Sequence, residues 1–145
     1  MSVKVKTRKL KPAPSRVLIV DDEPSVLLTY QLILQQAGYD VTAAATSVAA
    51  KEAITRIDFD IILTDFSLEQ QHNGFEVVEA ARQRRADVPS LLLTGYATKE
   101  TADDAASRGI GVMFKPIDIE EFLTTTSELL RTNRNESNEK TGTQD

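Results

Sequence analysis

No cysteine occurs in the 145 residues, and histidine occurs once, at position 72. The first absence excludes disulfides, thiolate metal sites and a cysteine nucleophile, and it fits a reducing compartment. The single histidine sits in a polar stretch and reads as a solvated loop residue rather than a ligand. No apolar run approaches the roughly 18 residues of a membrane span, and no hydrophobic segment of signal-peptide length follows the basic N-terminus. A cytoplasmic protein without a membrane span is expected. The chain also lacks acids at its start: residues 1–16 carry Lys4, Lys6, Arg8, Lys9, Lys11 and Arg16 and no Asp or Glu. Taking these six positive charges from the net −5 leaves −11 for the remainder. An acidic body of that kind does not suit a nucleic-acid surface, since phosphate binding relies on Lys and Arg. There is no repeat of the solenoid kind.

What is present is a series of short apolar runs, each ending at a polar residue. Arg16–Val20 breaks onto Asp21, Asp22, Glu23 and Pro24; Asp60–Leu63 leads to Thr64 and Asp65; Ser90–Leu93 ends at Thr94; and Ile110–Phe114 ends at Lys115 and Pro116. Tyr39–Ala44 is a weaker, alternating run. β-Branched, polar-bounded runs of this length read as buried strands. Between them lie helical stretches: Pro24–Ala37, stopped by Gly38; an alanine-rich segment with Ser47 as its expected cap; Gly74–Arg85, with Phe75, Val77, Val78 and Ala81 inward; Thr98–Arg108, stopped by Gly109; and a last helix opened by a capping box at Asp118–Glu121 and running to about Arg131. Leu27, Leu28, Leu32 and Leu34 read as core and helix-packing surface, and Arg82, Arg84 and Arg85 as an exposed helix end. The expected organisation is a basic flexible lead (1–15), one domain (16–131) and a disordered polar tail (132–145).

Five strands alternating with five helices imply a parallel sheet with helices on both faces and all strand ends along one edge. Ligands of open α/β sheets bind at that edge. The edge collects Asp21 and Asp22 from the first strand, Asp65 from the third, Thr94 from the fourth and Lys115 from the fifth. Any one acid there could be a helix cap, but a set of three carboxylates, a hydroxyl and an ammonium is hard to explain as capping. Two like charges 4 Å apart cost about 4 kcal/mol at an effective dielectric of 20, so three acids and one lysine call for another cation. Oxygen ligands select a hard ion such as Mg²⁺. A phosphoryl group arriving at this edge would meet Mg²⁺ and Lys115 for charge, Thr94 as a donor and a carboxylate able to attack phosphorus, giving an aspartyl phosphate.

The segments Val17–Pro24, Ile62–Asp65, Leu91–Gly95 and Phe114–Pro116, in this order and spacing, resemble the receiver domain of two-component response regulators. The resemblance implies a (βα)5 flavodoxin-like fold with strand order 2-1-3-4-5, Mg²⁺ dependence and phosphoryl transfer from a sensor histidine kinase or a histidine phosphotransfer protein. By position, Asp65 would be the phosphoacceptor and a Mg²⁺ ligand, Asp22 a direct Mg²⁺ ligand, Asp21 a ligand through water, and the Ser67 carbonyl the protein's remaining ligand. Thr94 and Lys115 would sense the phosphoryl group, and the Lys115–Pro116 bond is expected to be cis. Tyr96, two residues after Thr94, would flank the site and with Ser67 set how readily water attacks the acyl phosphate.

The chain departs from the family pattern in two places. Val112 stands where an aromatic switch residue is usual, with Phe114 on the face opposite the lysine, so the usual coupling from threonine to an aromatic is not expected in that form. Leu68 is followed by Glu69 where proline is common, and the loop to Gly74 is about one residue longer than usual. Beyond self-phosphorylation from a phosphodonor and autodephosphorylation, no enzymatic activity is expected. With no DNA-binding domain in the sequence, signalling by protein contact is expected, through an unidentified downstream protein or a phosphorylation-dependent homodimer; a receiver fragment of a longer regulator is the alternative. A haloacid dehalogenase-like phosphatase, the alternative from a different class, would place its nucleophile on the first strand and a second acid where this chain has Ser67. A flavodoxin would need phosphate donors where Asp21–Glu23 stand.

Overall fold

A computed structural model describes residues 13–143, with side chains described as far as Asn133. The strands are β1 (Arg16–Val20), β2 (Asp40–Ala44), β3 (Ile61–Asp65), β4 (Ser90–Thr94) and β5 (Gly111–Phe114). The helices are α1 (Pro24–Gln36), α2 (Ser47–Arg56), α3 (Gly74–Arg84), α4 (Lys99–Ser107) and α5 (Ile119–Thr143). All four strand pairings are parallel, in the order β2-β1-β3-β4-β5. This is the flavodoxin-like arrangement expected from the sequence.

Strand side chains alternate between faces, and each face of the sheet has its own helices. Leu18, Val20, Ile62 and Leu92 face α2, α3 and α4 through Ala50, Ile54, Phe75, Val78 and Ala105. Val17, Ile19, Ile61, Leu63, Leu91 and Leu93 face α1 and α5 through Tyr30, Leu34, Phe122 and Leu130. With both faces covered, the central strands are continuous apolar runs. The inward side of α3 is as the sequence indicates. On α1 only Leu34 is fully buried, Leu27 packs against the core, and Leu28 and Leu32 remain more than half exposed.

Two helix ends differ from the expectation, and the Asp118 cap agrees with it. Thr46 rather than Ser47 caps α2, its hydroxyl accepting from the Ala49 N–H at 2.9 Å, because the Ser47 hydroxyl is drawn to Glu69 instead. At α5, Asp118 accepts from the N–H groups of Glu120 and Glu121, while a reciprocal capping box forms at Asn73 and Glu76 on α3. Finally, α5 does not stop near Arg131 but continues to Thr143. Residues 132–143 of the expected disordered tail are therefore helical. A helix already nucleated against the sheet adds one backbone bond per further residue, so polar composition alone does not end it. Residues 1–12 of the expected basic lead lie outside the described residues. Gly38 and Gly109 end α1 and α4 with φ of 102° and 67°, the left-handed region that glycine enters at least cost.

The Thr46 cap gives a first test. Thr46→Ala is expected to lower unfolding free energy by about 1 kcal/mol in urea denaturation. An unchanged midpoint would show that the cap contributes nothing.

The arginines of α3 are not a free helix end. Arg82 donates to the carbonyls of Arg108, Gly109 and Val88, and Arg84 to Asp58 and the Ile54 carbonyl. Burial lowers the pKa of Arg82 from its ordinary value. These guanidiniums serve as C-terminal partners for neighbouring elements.

Candidate functional site

The chain leaves β1 toward β2 on one side and returns to β3 on the other, so the carboxyl ends of β1 and β3 open a crevice. Asp21 lies immediately past β1 and Asp65 ends β3. One carboxylate oxygen from each of Asp21, Asp22 and Asp65 lies within 4.8 Å of the others. Asp21 is fully buried and Asp22 exposed. From β5, the Lys115 ammonium donates to Asp21 Oδ2 at 2.9 Å and Asp65 Oδ2 at 3.4 Å. The Lys115 N–H donates to the Thr94 carbonyl at 2.8 Å, fixing the lysine stem against β4. The Lys115–Pro116 bond is cis.

Three carboxylates against one ammonium leave two negative charges uncompensated. Burial pushes the Asp65 carboxyl above the ordinary carboxylate range; Lys115 pulls it back, and Asp21 adds to the rise. Burial disfavours the Lys115 ammonium, yet its bond to Asp21 and the fields of Asp65 and Asp21 prevail and its pKa is raised. The donor set is hard, anionic, and open at Asp22. It therefore fits a divalent cation that takes oxygen ligands.

The other predicted residues are close but differently engaged. Thr94 is buried, and its hydroxyl donates to the Tyr96 carbonyl at 2.7 Å while accepting from the Tyr96 N–H at 3.2 Å. Tyr96 itself is 78% exposed. Val112 pairs with Leu92, deeper in the sheet, and packs against the core. Phe114, beside the lysine, is largely exposed. Ser67 is exposed and forms an antiparallel bridge with Asn73.

Three residues near the site are given no role in it by the sequence. Tyr30 is buried on α1, its ring 5.3 Å from that of Phe122 and tilted 38° to it. Burial raises its pKa; Lys115 opposes, and Asp21 and Asp65 add to the rise. Its only sequence signal is the apolar stripe Val26, Leu27, Tyr30, Leu34 at helical spacing. Gly74 lies under Asp65, where a Cβ would stand 2.7 Å from the Asp65 carbonyl oxygen. Glu69 reaches Ser47 across the β3–α3 loop.

His72 is half-buried, its Nδ1 2.8 Å from Glu76 Oε1. The Glu76 carboxyl is held below its ordinary range chiefly by that bond; burial opposes, and Lys51 and the Asn73 N–H add to the lowering. A depressed carboxyl contributes stability that is complete above the unfolded-chain value near about 4.3 and fades as pH falls through the lower folded value. Glu76→Gln should therefore lower the urea midpoint at pH 7, with the gap shrinking as pH falls below the ordinary Glu value of about 4.3. A gap that does not shrink on acidification would refute this assignment.

Residues 17–127 match the response regulator receiver domain. The chain belongs to this family. It is 32% identical over 119 residues to the DNA-binding dual master transcriptional regulator RpaA of Synechocystis, covering 80% of this chain and 49% of that protein. Among solved structures, a CheY-like receiver domain protein from Methanospirillum hungatei superposes with a TM-score of 0.79 at 30% identity, covering 85% of this chain and 98% of that one. The chemotaxis protein CheY4 of Vibrio cholerae gives 0.74 at 32% identity, covering 81% and 99%. This receiver thus spans about half the length of RpaA. No described helix is long and apolar enough to cross a membrane.

Proposed function

We propose that this receiver accepts a phosphoryl group on Asp65 from a sensor histidine kinase or a histidine phosphotransfer protein. The observation that carries the reading is the Lys115 ammonium bridging Asp21 and Asp65 beside the open Asp22. In the transfer, a carboxylate oxygen of Asp65 attacks phosphorus, the bond from phosphorus to the donor imidazole breaks, and the imidazole leaves with that electron pair. Lys115 stabilises the charge on the phosphoryl oxygens. Thr94 contributes its hydroxyl once it releases the Tyr96 carbonyl, which couples the event to the exposed Tyr96 loop. Asp21, Asp22, Asp65 and the Ser67 carbonyl would hold Mg²⁺, which supplies the positive charge that the carboxylates lack.

The same chemistry allows self-phosphorylation from a small phosphodonor and slow hydrolysis, without other enzymatic activity. A phosphatase of the haloacid dehalogenase type would need its nucleophile on the first strand, whereas Asp65 ends β3. We assign the protein to the cytoplasm, where a histidine kinase presents its phosphohistidine. Output is proposed to run by contact with a downstream protein or through a phosphorylated homodimer. The match to about half of RpaA favours a second reading of output, a receiver acting within a longer regulator. A transcript continuing past Asp145 into a folded domain would decide for the latter. Acetyl phosphate or phosphoramidate with Mg²⁺ is expected to add one acid-labile phosphate; no uptake would overturn the proposal.

A further inference from the structure

The segment leading out of Asp65 is closed on itself and then tied to a different helix. Ser67 bridges Asn73, the Leu68 N–H donates to the His72 carbonyl at 2.9 Å, and the Gly74 N–H donates to the Phe66 carbonyl at 2.8 Å. At its tip, a single-turn 3-10 segment (Glu69–Gln71) carries two consecutive left-handed glutamines, Gln70 (φ 51°) and Gln71 (φ 68°). Glutamine disfavours that conformation, so the surrounding structure must hold it. Glu69 supplies the hold. Its two carboxylate oxygens accept from the Ser47 N–H at 2.8 and 3.0 Å, and one of them accepts from the Ser47 hydroxyl at 2.8 Å. Ser47 is fully buried at the first turn of α2, where backbone N–H groups lack intrahelical partners and a negative charge is favoured. Leu68, next to the clamp, is buried in the core on the same side.

We infer that Glu69 is a positioning residue for the phosphoacceptor site, clamping the β3–α3 loop to α2 so that the Ser67 carbonyl is fixed beside Asp65. It replaces, with three charge-assisted hydrogen bonds, the rigidity that proline gives this position in much of the family. The inference rests on the reading of Ser67 as a Mg²⁺ ligand. Groups behind a ligand set its orientation, and their loss typically weakens metal binding without removing a ligand.

The test is isothermal titration of the metal-free chain with Mg²⁺, paired with urea unfolding in chelator, for wild type, Glu69→Ala, Glu69→Gln and Ser47→Ala. Glu69→Ala is expected to weaken Mg²⁺ binding about tenfold, with Glu69→Gln and Ser47→Ala falling between it and wild type. Wild-type affinity in Glu69→Ala, even with a lowered urea midpoint, would reduce Glu69 to a structural tie and overturn the inference alone. Absence of Mg²⁺ binding by wild type would overturn the Mg²⁺ reading of the site and the inference with it.

Discussion

Asp65→Asn should lose phosphate uptake from acetyl phosphate and Mg²⁺ by more than about 10³-fold, as removal of a nucleophile does elsewhere. The amide keeps the shape of the side chain but has no anionic oxygen to form the bond to phosphorus. The neighbouring acids cannot substitute at that position. Asp21 is fully buried, with one oxygen on Lys115 and the other accepting from the Glu23 N–H at 2.9 Å, and Asp22 lies at the open edge. The same variant should unfold at higher urea than wild type in chelator. Burial disfavours the Asp65 carboxylate, so a neutral isostere relieves the metal-free protein. Phosphate counting by acid-labile release checks the first outcome and a urea midpoint the second; full labelling of the variant would remove Asp65 from the role assigned to it.

Gly74→Ala should cost about 2–3 kcal/mol. A Cβ there would stand 2.7 Å from the Asp65 carbonyl oxygen, 2.8 Å from Leu92 Cδ2 and 3.0 Å from Thr64 Cγ2. The first of these is backbone of the site strand and cannot swing aside, so α3 has to retreat. Retreat also stretches the bond from the Gly74 N–H to the Phe66 carbonyl. Gly95→Ala is the control, since nothing lies within 4 Å of a Cβ at that position. Urea denaturation of the two variants should separate them clearly. Equal stabilities would mean that α3 can shift freely and that Gly74 does not set its distance from β3.

The legible parts of this protein are those where local sequence and burial agree. β1, β3 and β4 are buried on both faces, so their apolar runs are uninterrupted, and the carboxylate or hydroxyl that ends each marks the sheet edge. Parallel topology then brings Asp21, Asp65, Thr94 and Lys115 to one place, whatever lies between them. The illegible parts depend on partners distant in sequence. Thr46 and Ser47 are equally good caps locally, and only Glu69, 22 residues from Ser47, decides between them. The α3 arginines look solvated until the carbonyls of Val88, Arg108 and Gly109 come into reach. Thr94 was correctly located at its strand end, but the direction of its hydroxyl depends on the backbone of Tyr96. The α5 extension is a matter of helix propagation that composition does not reveal.

The ammonium that links Asp21 and Asp65 belongs to Lys115, which lies 94 and 50 positions from them along the chain. Such separations belong to slow, late events in folding, because a long loop must close before the contact forms. β5, which delivers Lys115, is the last strand to be synthesised and lies at the edge of the sheet. On the ribosome, β1 to β4 can therefore come together while their acids still lack this cation. Charge repulsion at that stage works against a compact but incomplete sheet, and the arrival of β5 relieves it. The proposed uptake of a phosphoryl group, which draws on Lys115, would then report that the whole domain, to its fifth strand, has been made and folded.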